Sequence, residues 1–279
     1  MLGKRRRSGR WLVLTLAWFL HSSAALAADP VLPDQLEGVG IEEKLGARID
    51  LGLTFIDENG HPVALREYFG QGRPVILNLV YYSCPMLCTL VLNGQTSALR
   101  EMPWTPGEQF EVVTISIDPR ETFGMAREKK EIYLTNYDRP APGWHFLADH
   151  EGHAKQLAEQ IGFHYRYDER IGQFAHAAAI MVLGEDGTVS RYLYGIQFRS
   201  RDLRLALTEA SEGKVGTVVD HLLLFCYRYD PSERSYVPAA TNIMRAGGAL
   251  VILTLGVFLF TMWRRERRRP AAGVPVNAQ

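Results

Sequence analysis

The sequence predicts an α/β fold with a mixed central sheet flanked by helices. Along the middle of the chain, apolar strand-like segments alternate with helical segments, which is the pattern of an α/β layer fold. The strand segment 74–82 is an almost continuous apolar run, as expected of a strand buried on both faces, and 110–118 is interpreted as another buried strand. A hairpin pattern follows the alternating part, so the sheet is predicted to be mixed. One domain over residues 45–212 accounts for all of these elements.

The predicted domain begins with an N-terminal β-hairpin. Residues 49–56 and 63–65 flank an Asp-Glu-Asn-Gly turn, and Asn-Gly is a strong hairpin signal. The remaining predicted elements are, in chain order, a strand over 74–82, a helix over 89–102, a strand over 110–118, a helix over 121–137, a strand over 144–148, a helix over 150–161, a second hairpin from 177–183 and 189–194, and a helix over 203–211.

Basic residues are concentrated at the two ends of the chain. The 279 residues include 31 basic and 31 acidic side chains, and the segments 1–28 and 264–279 together hold ten of the basic ones but a single acidic one. The rest of the chain therefore carries 21 basic and 30 acidic residues, a net charge of −9. Because such a domain repels a polyanionic backbone, nucleic acid is excluded as its partner.

The N-terminal basic segment predicts export. Basic residues ending at Arg10 precede an apolar run over 11–20, and Ala-Leu-Ala at 25–27 gives a cleavage signal. Residues 1–27 are therefore predicted to be a cleaved signal peptide. An uncleaved anchor helix is the alternative, although the run is short for a span of about 20 residues.

The C-terminal basic segment predicts a membrane anchor. Residues 246–263 are 18 uncharged residues, and five arginines follow in the tail 264–279. This pattern predicts a single transmembrane helix with its basic tail in the cytoplasm. The globular domain is then expected in the periplasm, tethered to a bacterial inner membrane. A lead-in segment over 28–44 and a connector over 213–245 complete the predicted organisation.

Two of the three cysteines point to chemistry. Three cysteines are too few for a disulfide scaffold. Cys84 and Cys88 lie in Ser-Cys-Pro-Met-Leu-Cys, after a buried strand and before a helix, where α/β sheets bind ligands. Pro85 suits the first helical position, which makes Cys84 the predicted N-cap and puts Cys88 one turn further on the same face. The positive potential of a helix N-terminus lowers thiol pKa values and favours thiolates.

The Cys-x-x-x-Cys spacing favours a metal over a disulfide. Side chains four apart on a helix have Cβ atoms about 5–6 Å apart, whereas an unstrained disulfide needs about 3.5–4.5 Å. Two thiolates bridged by a metal at about 2.3 Å each span about 4.6 Å. A structural disulfide or two buried thiols remain the alternative. Cys226, in an apolar run, is expected to be a buried thiol.

The residues around the cysteines resemble a known family. The run YYSCPMLC, followed by ISIDPRET and QFAHAAAIMVLGEDG, is similar to the SCO/SenC family of thioredoxin-like copper chaperones over about residues 40–212. The resemblance implies a thioredoxin-like fold and a copper site formed by Cys84, Cys88 and His176. It also places Asp118 of the Asp-Pro element near that site, although capping the next helix is an equal alternative for this residue.

The sequence departs from the family pattern at two places. Arg-Glu-Thr follows the Asp-Pro element where the family usually has Glu-Arg-Asp-Thr, and the anchor is C-terminal where many members have an N-terminal one. Neither departure changes a residue of the implied copper site.

The implied donor set suits copper. Two thiolates and one imidazole form a soft site of low coordination number, which fits Cu(I) especially, and structural zinc normally takes four ligands. His176 directly precedes the strand over 177–183, where thiol oxidoreductases carry a cis-proline that this chain lacks. Five further histidines are expected to be structural or solvated, namely His61, His145, His150, His153 and His164.

The resemblance implies a function in respiration. A member of this family would deliver copper, as Cu(I) or Cu(II), to the binuclear copper site of cytochrome c oxidase, with oxidase subunit II as its partner. The alternative is a thiol-disulfide reductase that keeps the copper-ligand cysteines of the oxidase reduced, with Cys84 and Cys88 as its redox pair. A peroxide-reducing protein is less favoured, because the chain has no typical peroxidatic motif. The spacing, the distal His176 and the missing cis-proline favour the copper-delivery hypothesis.

Overall fold

The computed structural model describes residues 38–212, 227–230, 235–238 and 240–267. The predicted signal peptide and Cys226 lie outside these residues.

Within the described residues the chain forms thirteen strands and five α-helices. They are, in chain order, β1 (Gly40–Ile41), β2 (Thr54–Ile56), β3 (Pro62–Ala64), β4 (Val75–Val80), α1 (Leu87–Glu101), β5 (Glu111–Ser116), α2 (Phe123–Tyr137), β6 (Trp144–Leu147), α3 (His153–Gln160), β7 (Phe163–His164), β8 (Arg166–Asp168), β9 (Gln173–Ala175), β10 (Ala179–Leu183), β11 (Val189–Tyr194), α4 (Ser200–Ala210), β12 (Tyr227–Asp230), β13 (Ser235–Pro238) and α5 (Ala240–Arg267).

A five-stranded sheet forms the centre of the domain, in the order β11-β10-β4-β5-β6. Strands β4, β5 and β6 are parallel, and β10 runs antiparallel to both β4 and β11. Helices α1 and α2 connect the parallel strands, as crossovers between parallel neighbours require. The predicted α/β architecture with a mixed sheet is confirmed.

The two central parallel strands are buried along their whole length. Every residue of β4 and β5 is buried, which agrees with the nearly continuous apolar run of β4, and β5 also buries Glu111, Thr114 and Ser116. Two polar side chains in this core are joined by a hydrogen bond, in which Asn78 Nδ2 donates to Thr114 Oγ1 at 3.0 Å between paired positions of the two strands. The sheet is therefore a rigid platform for the segments that leave its edges.

Most predicted elements are present, with shifted ends. The N-terminal hairpin is β2–β3, and Gly60 in its turn has a φ of +89°, which explains the Asn-Gly pair. The helix predicted to start at residue 203 begins at Ser200, and the helix predicted to start at residue 150 begins at His153. The antiparallel pair β8–β9 was not predicted.

Antiparallel pairing brings two distant segments together at one end of the sheet. Met181 pairs with Leu77 and Leu183 pairs with Val75, so the start of β10 lies beside the end of β4. The residues that follow β4 and the residues that precede β10 therefore meet, although they are about 90 positions apart in the chain. Cys84 follows β4, and His176 precedes β10.

Helix α5 matches the predicted anchor. In the part of the chain that the structure describes, it is the one helix long and apolar enough to cross a membrane, over Gly247–Arg264, and no residue of that window is buried. The hairpin β12–β13 precedes it, within the segment predicted to be a connector.

Candidate metal centre

Three soft donor side chains converge where β4 ends and β10 begins. The Sγ atoms of Cys84 and Cys88 and a ring nitrogen of His176 lie within 4.8 Å of one another. Cys88 Sγ is 3.0 Å from His176 Nε2. All three side chains belong to residues that are more than nine-tenths buried. Among the described residues, this is the one cluster of at least three cysteine, histidine or acidic side chains placed to hold a metal ion.

The two cysteines lie at the N-terminal end of helix α1, but the helix does not begin where the sequence predicts. Met86 is the N-cap and the helix starts at Leu87, so the prediction that Cys84 is the N-cap was wrong. The reason is that the turn around Pro85 remains outside the helix. This turn places the Cys84 sulfur beside the first turn of helix α1. There, the Cys88 N–H donates to Cys84 Sγ at 3.3 Å. The sulfur thus takes an unpaired amide of the first helical turn, as a capping oxygen would.

The pKa values of the two thiols are shifted in opposite directions. A hydrogen bond from the Cys88 thiol lowers the pKa of Cys84, and a hydrogen bond from Tyr81 lowers it further against the opposing effect of burial. Burial raises the pKa of Cys88, and the negative charges of Cys84 and Glu121 add to that increase. Cys84 is therefore the thiol of the pair that more readily forms the thiolate.

His176 directs its Nε2 toward the cysteines. Its Nδ1 lies 2.9 Å from the carbonyl oxygen of Ala177, which can only accept, so Nδ1 donates to that oxygen. In the neutral imidazole with this tautomer, Nε2 has its lone pair free and faces Cys88 Sγ. A backbone carbonyl that fixes the tautomer in this way is the usual partner of a metal-binding histidine.

Aromatic rings enclose the histidine. The rings of Tyr81 and Phe163 each have centroids 6.0 Å from that of His176. Phe174, on the unpredicted hairpin β8–β9, packs on Tyr81 at 5.7 Å and on Tyr167 at 5.0 Å. Since β9 ends one residue before His176, this hairpin determines where the imidazole enters the site.

A buried carboxylate, missed by the sequence analysis, holds the loop that leads to Cys84. Glu121 Oε2 accepts hydrogen bonds from Tyr82 N and from Ser116 Oγ, and Oε1 accepts one from Ser83 N, all at 2.6 Å. Glu121 is only 2% exposed. The sequence signal that could have identified Glu121 is its position in the Asp-Pro-Arg-Glu-Thr run. This run directly follows a buried strand, where polar residues often lie at the end of the sheet.

Asp118 lies in the same loop but points to a different partner. Its carboxylate accepts from Arg120 N at 3.0 Å, Nε at 2.8 Å and Nη2 at 2.7 Å. Arg120 in turn stacks on Tyr167, with its guanidinium carbon 5.0 Å from the ring centroid. The hydrogen bonds of Asp118 in the described part of the chain do not reach the cysteines or His176. Helix α2 has Thr122 as its N-cap, so Asp118 does not cap that helix.

The arrangement fits a soft metal ion. Two sulfurs and one imidazole nitrogen are within the span that ligand bonds of about 2.0–2.3 Å require. No carboxylate belongs to the cluster, so the donor set disfavours hard cations such as Mg²⁺. Three protein donors also leave room for a ligand from another molecule.

Comparison with known proteins supports the fold and finds a match to a family model. A family model described as SCO1/SenC matches residues 42–207. No curated protein sequence matches the chain. Among solved structures, a protein of Aquifex aeolicus VF5, provisionally assigned to electron transfer, aligns with 23% identity and a TM-score of 0.53, covering 60% of this chain and 94% of that one. This likeness agrees with the thioredoxin-like α/β fold.

Two further solved structures are similar over the same region with lower TM-scores. ScoI of Bradyrhizobium japonicum, solved with copper bound, has 20% identity and a TM-score of 0.43, with 61% of this chain and 98% of that chain covered. BsSco, described as a member of the Sco family of cytochrome c oxidase assembly proteins, has 18% identity and a TM-score of 0.48, with coverages of 61% and 97%.

Proposed function

The chain belongs to the SCO1/SenC family, and from this premise we propose that it is a membrane-anchored periplasmic protein that binds copper and delivers it to the binuclear copper site of cytochrome c oxidase during assembly. The observation that carries the proposal is the convergence of Cys84, Cys88 and His176 within 4.8 Å. In this function copper is the cargo of the protein and not a resident cofactor.

The donors account for both binding and release of copper. Two thiolates and an imidazole are soft ligands that suit Cu(I) and also accept Cu(II). Copper binds thiolates and a neutral imidazole, so the thiol protons must leave when the metal binds, and the lowered pKa of Cys84 favours this step for that ligand. An acceptor protein can add its own ligand to the three-donor site and then withdraw the ion.

A relative and the anchor helix support the proposed partner and location. BsSco is assigned to oxidase assembly, and oxidase subunit II is the proposed recipient for this chain. Helix α5, followed by the arginine-rich tail, supports a single C-terminal span with the domain on the periplasmic side.

Asp118 is proposed to act on the copper site indirectly. Its carboxylate fixes Arg120, and Arg120 covers Tyr167 and Phe174 of the hairpin that ends at His176. Loss of the Asp118 charge would loosen that hairpin and so weaken the placement of the imidazole.

Copper stoichiometry tests the proposal directly. The full-length chain, purified in detergent and reduced, should bind one copper ion because it offers one set of three soft donors. The bound metal is measured by atomic absorption after gel filtration. A chain that retains no copper in the presence of a weak competing chelator would refute the proposed function.

Reporter fusions test the proposed topology. Alkaline phosphatase, which is active only outside the cytoplasm, should be active when fused after Gly213 and inactive when fused after Gln279. The reason is that five arginines after the apolar run hold the C-terminus in the cytoplasm. A cytoplasm-specific reporter at the same two positions is the control and should give the opposite result. Activity of the phosphatase at Gln279 would contradict the anchor.

A second function, as a thiol-disulfide reductase, is favoured by one observation. The lowered pKa of Cys84 supplies an attacking thiolate, and Cys88 lies close enough to resolve a mixed disulfide. These features require no metal. The two functions differ in their need for His176.

A further inference from the structure

Glu121 is a buried carboxylate close to the copper site, and the chemistry of the site does not use it as a ligand. It accepts one N–H from each of the two residues before Cys84 and one O–H from Ser116. Three donors and no acceptor surround it, which suits the ionised carboxylate. It thus tethers the loop that carries Cys84.

The charge of Glu121 is not neutralised by a side chain. In the residues that the structure describes, no lysine, arginine or histidine forms an ion pair with Glu121, in contrast to the buried Glu58, which pairs with Lys130. Glu121 is compensated instead by backbone amides and by its place just before the N-terminus of α2, where the helix potential is positive. The unpaired charge lies close to the site, because Glu121 Oε1 accepts from the amide of Ser83, the residue directly before Cys84.

We propose that Glu121 is a positioning and electrostatic residue of the copper site, which holds the Cys84 loop and favours bound Cu(II) over bound Cu(I). This inference rests on the proposed copper-binding function. With both thiolates and a neutral imidazole as ligands, the Cu(I) centre has a net charge of −1 and the Cu(II) centre is neutral. A fixed negative charge nearby destabilises the negatively charged Cu(I) centre and leaves the neutral Cu(II) centre unaffected. Because the dielectric constant around buried groups is low, this repulsion is only weakly screened.

Variant E121Q removes the charge and keeps one oxygen that can accept from the Cys84 loop. Glutamine has the same length but no charge, so we expect the ratio of Cu(II) to Cu(I) affinity to fall about tenfold. For a one-electron couple this is a rise of about 59 mV in the midpoint potential of the bound copper. The potential is measured by redox titration of the copper-loaded, full-length chain in detergent. Thermal unfolding, followed by circular dichroism, checks that the variant is folded.

Two further variants distinguish the charge from a general structural defect. In E121D the charge remains but the side chain is one methylene shorter, so both copper affinities should fall while the midpoint potential changes little. E58Q removes a buried carboxylate that is neutralised by Lys130, and it should leave the potential unchanged. Because only E121Q should raise the potential, comparison of E121Q with E121D separates the effect of the charge from a general structural defect.

The outcomes distinguish a failure of the role proposed for Glu121 from a failure of the proposed function. A raised potential in E121Q alone supports the role of Glu121. Normal copper binding with an unchanged potential in E121Q, or an equally raised potential in E121D, would overturn this role and leave the proposed function intact. An unaltered chain that binds no copper would overturn the proposed function, and this inference with it.

Discussion

Replacing either Cys84 or Cys88 with serine should remove copper binding almost completely. A serine hydroxyl is a hard donor that does not ionise near neutral pH, so each variant leaves the ion with one thiolate and one imidazole. We expect the affinity to fall by more than about a hundredfold, because even the loss of a residue that merely orients a ligand costs about 10- to 100-fold. The fold should persist, since serine is smaller than cysteine and introduces no clash.

Competition with a chromophoric Cu(I) chelator measures this loss on the full-length chain. Cys226→Ser is the matched control, because it removes the third cysteine, for which we predict no part in the site. It should retain one equivalent of copper. If the double variant of Cys84 and Cys88 also retained one equivalent, the assignment of the copper site would be wrong.

The central sheet could be predicted from the sequence because its strongest signals are local. Strands β4 and β5 are buried on both faces, and the nearly continuous apolar run of β4 is visible without any knowledge of its partners. The ends of helices were less predictable. Helix α1 starts at Leu87 because the turn at Pro85 belongs to the cysteine loop, where the Cys84 sulfur accepts from the Cys88 amide in place of a regular capping side chain.

The site could be predicted only in part. Cys84 and Cys88 are four residues apart, so their proximity follows from helix geometry. His176 meets Cys88 across 88 positions of sequence, and that contact depends on the antiparallel pairing of β10 with β4. No local pattern encodes this register, which is why the histidine was assigned from the family resemblance.

Two features near the site escaped prediction for different reasons. The hairpin β8–β9 has only three residues in each strand, with charged residues among them, so its alternation is too short to stand out. Glu121 lies in a sequence of charged residues that reads as an ordinary helix start. Its burial follows from the amide groups of the cysteine loop, which need an acceptor once the sheet and helix α2 are assembled.

Variant His176→Ala should separate copper delivery from disulfide reduction. Thiol exchange needs an attacking thiolate and a resolving cysteine, and both remain in this variant. We expect its rate of disulfide reduction to stay within about tenfold of the unaltered protein, a barrier change of about 1.4 kcal/mol. The loss would come from the missing contact between His176 Nε2 and Cys88 Sγ, which lie 3.0 Å apart.

Copper chemistry should respond far more strongly to the same change. Without the imidazole, two thiolates favour linear Cu(I), and the site loses the borderline nitrogen donor that Cu(II) requires. Copper affinity should therefore fall steeply, and cells that carry the variant should assemble oxidase without its binuclear copper. His164→Ala is the matched control, because His164 is an exposed histidine whose side chain lies beside Glu42 and not in the copper cluster.

The comparison in cells decides which function the cysteines serve. A copper carrier needs all three donors, so His176→Ala and Cys84→Ala cells should show the same failure, measured as copper content and activity of the purified oxidase. A reductase needs the thiols alone, so it would tolerate the loss of His176 and fail only without Cys84. Fully copper-loaded oxidase in His176→Ala cells, together with unloaded oxidase in Cys84→Ala cells, would therefore favour the reductase. Since His176 is fixed by the Ala177 carbonyl and aimed at Cys88, we expect the two variants to fail together.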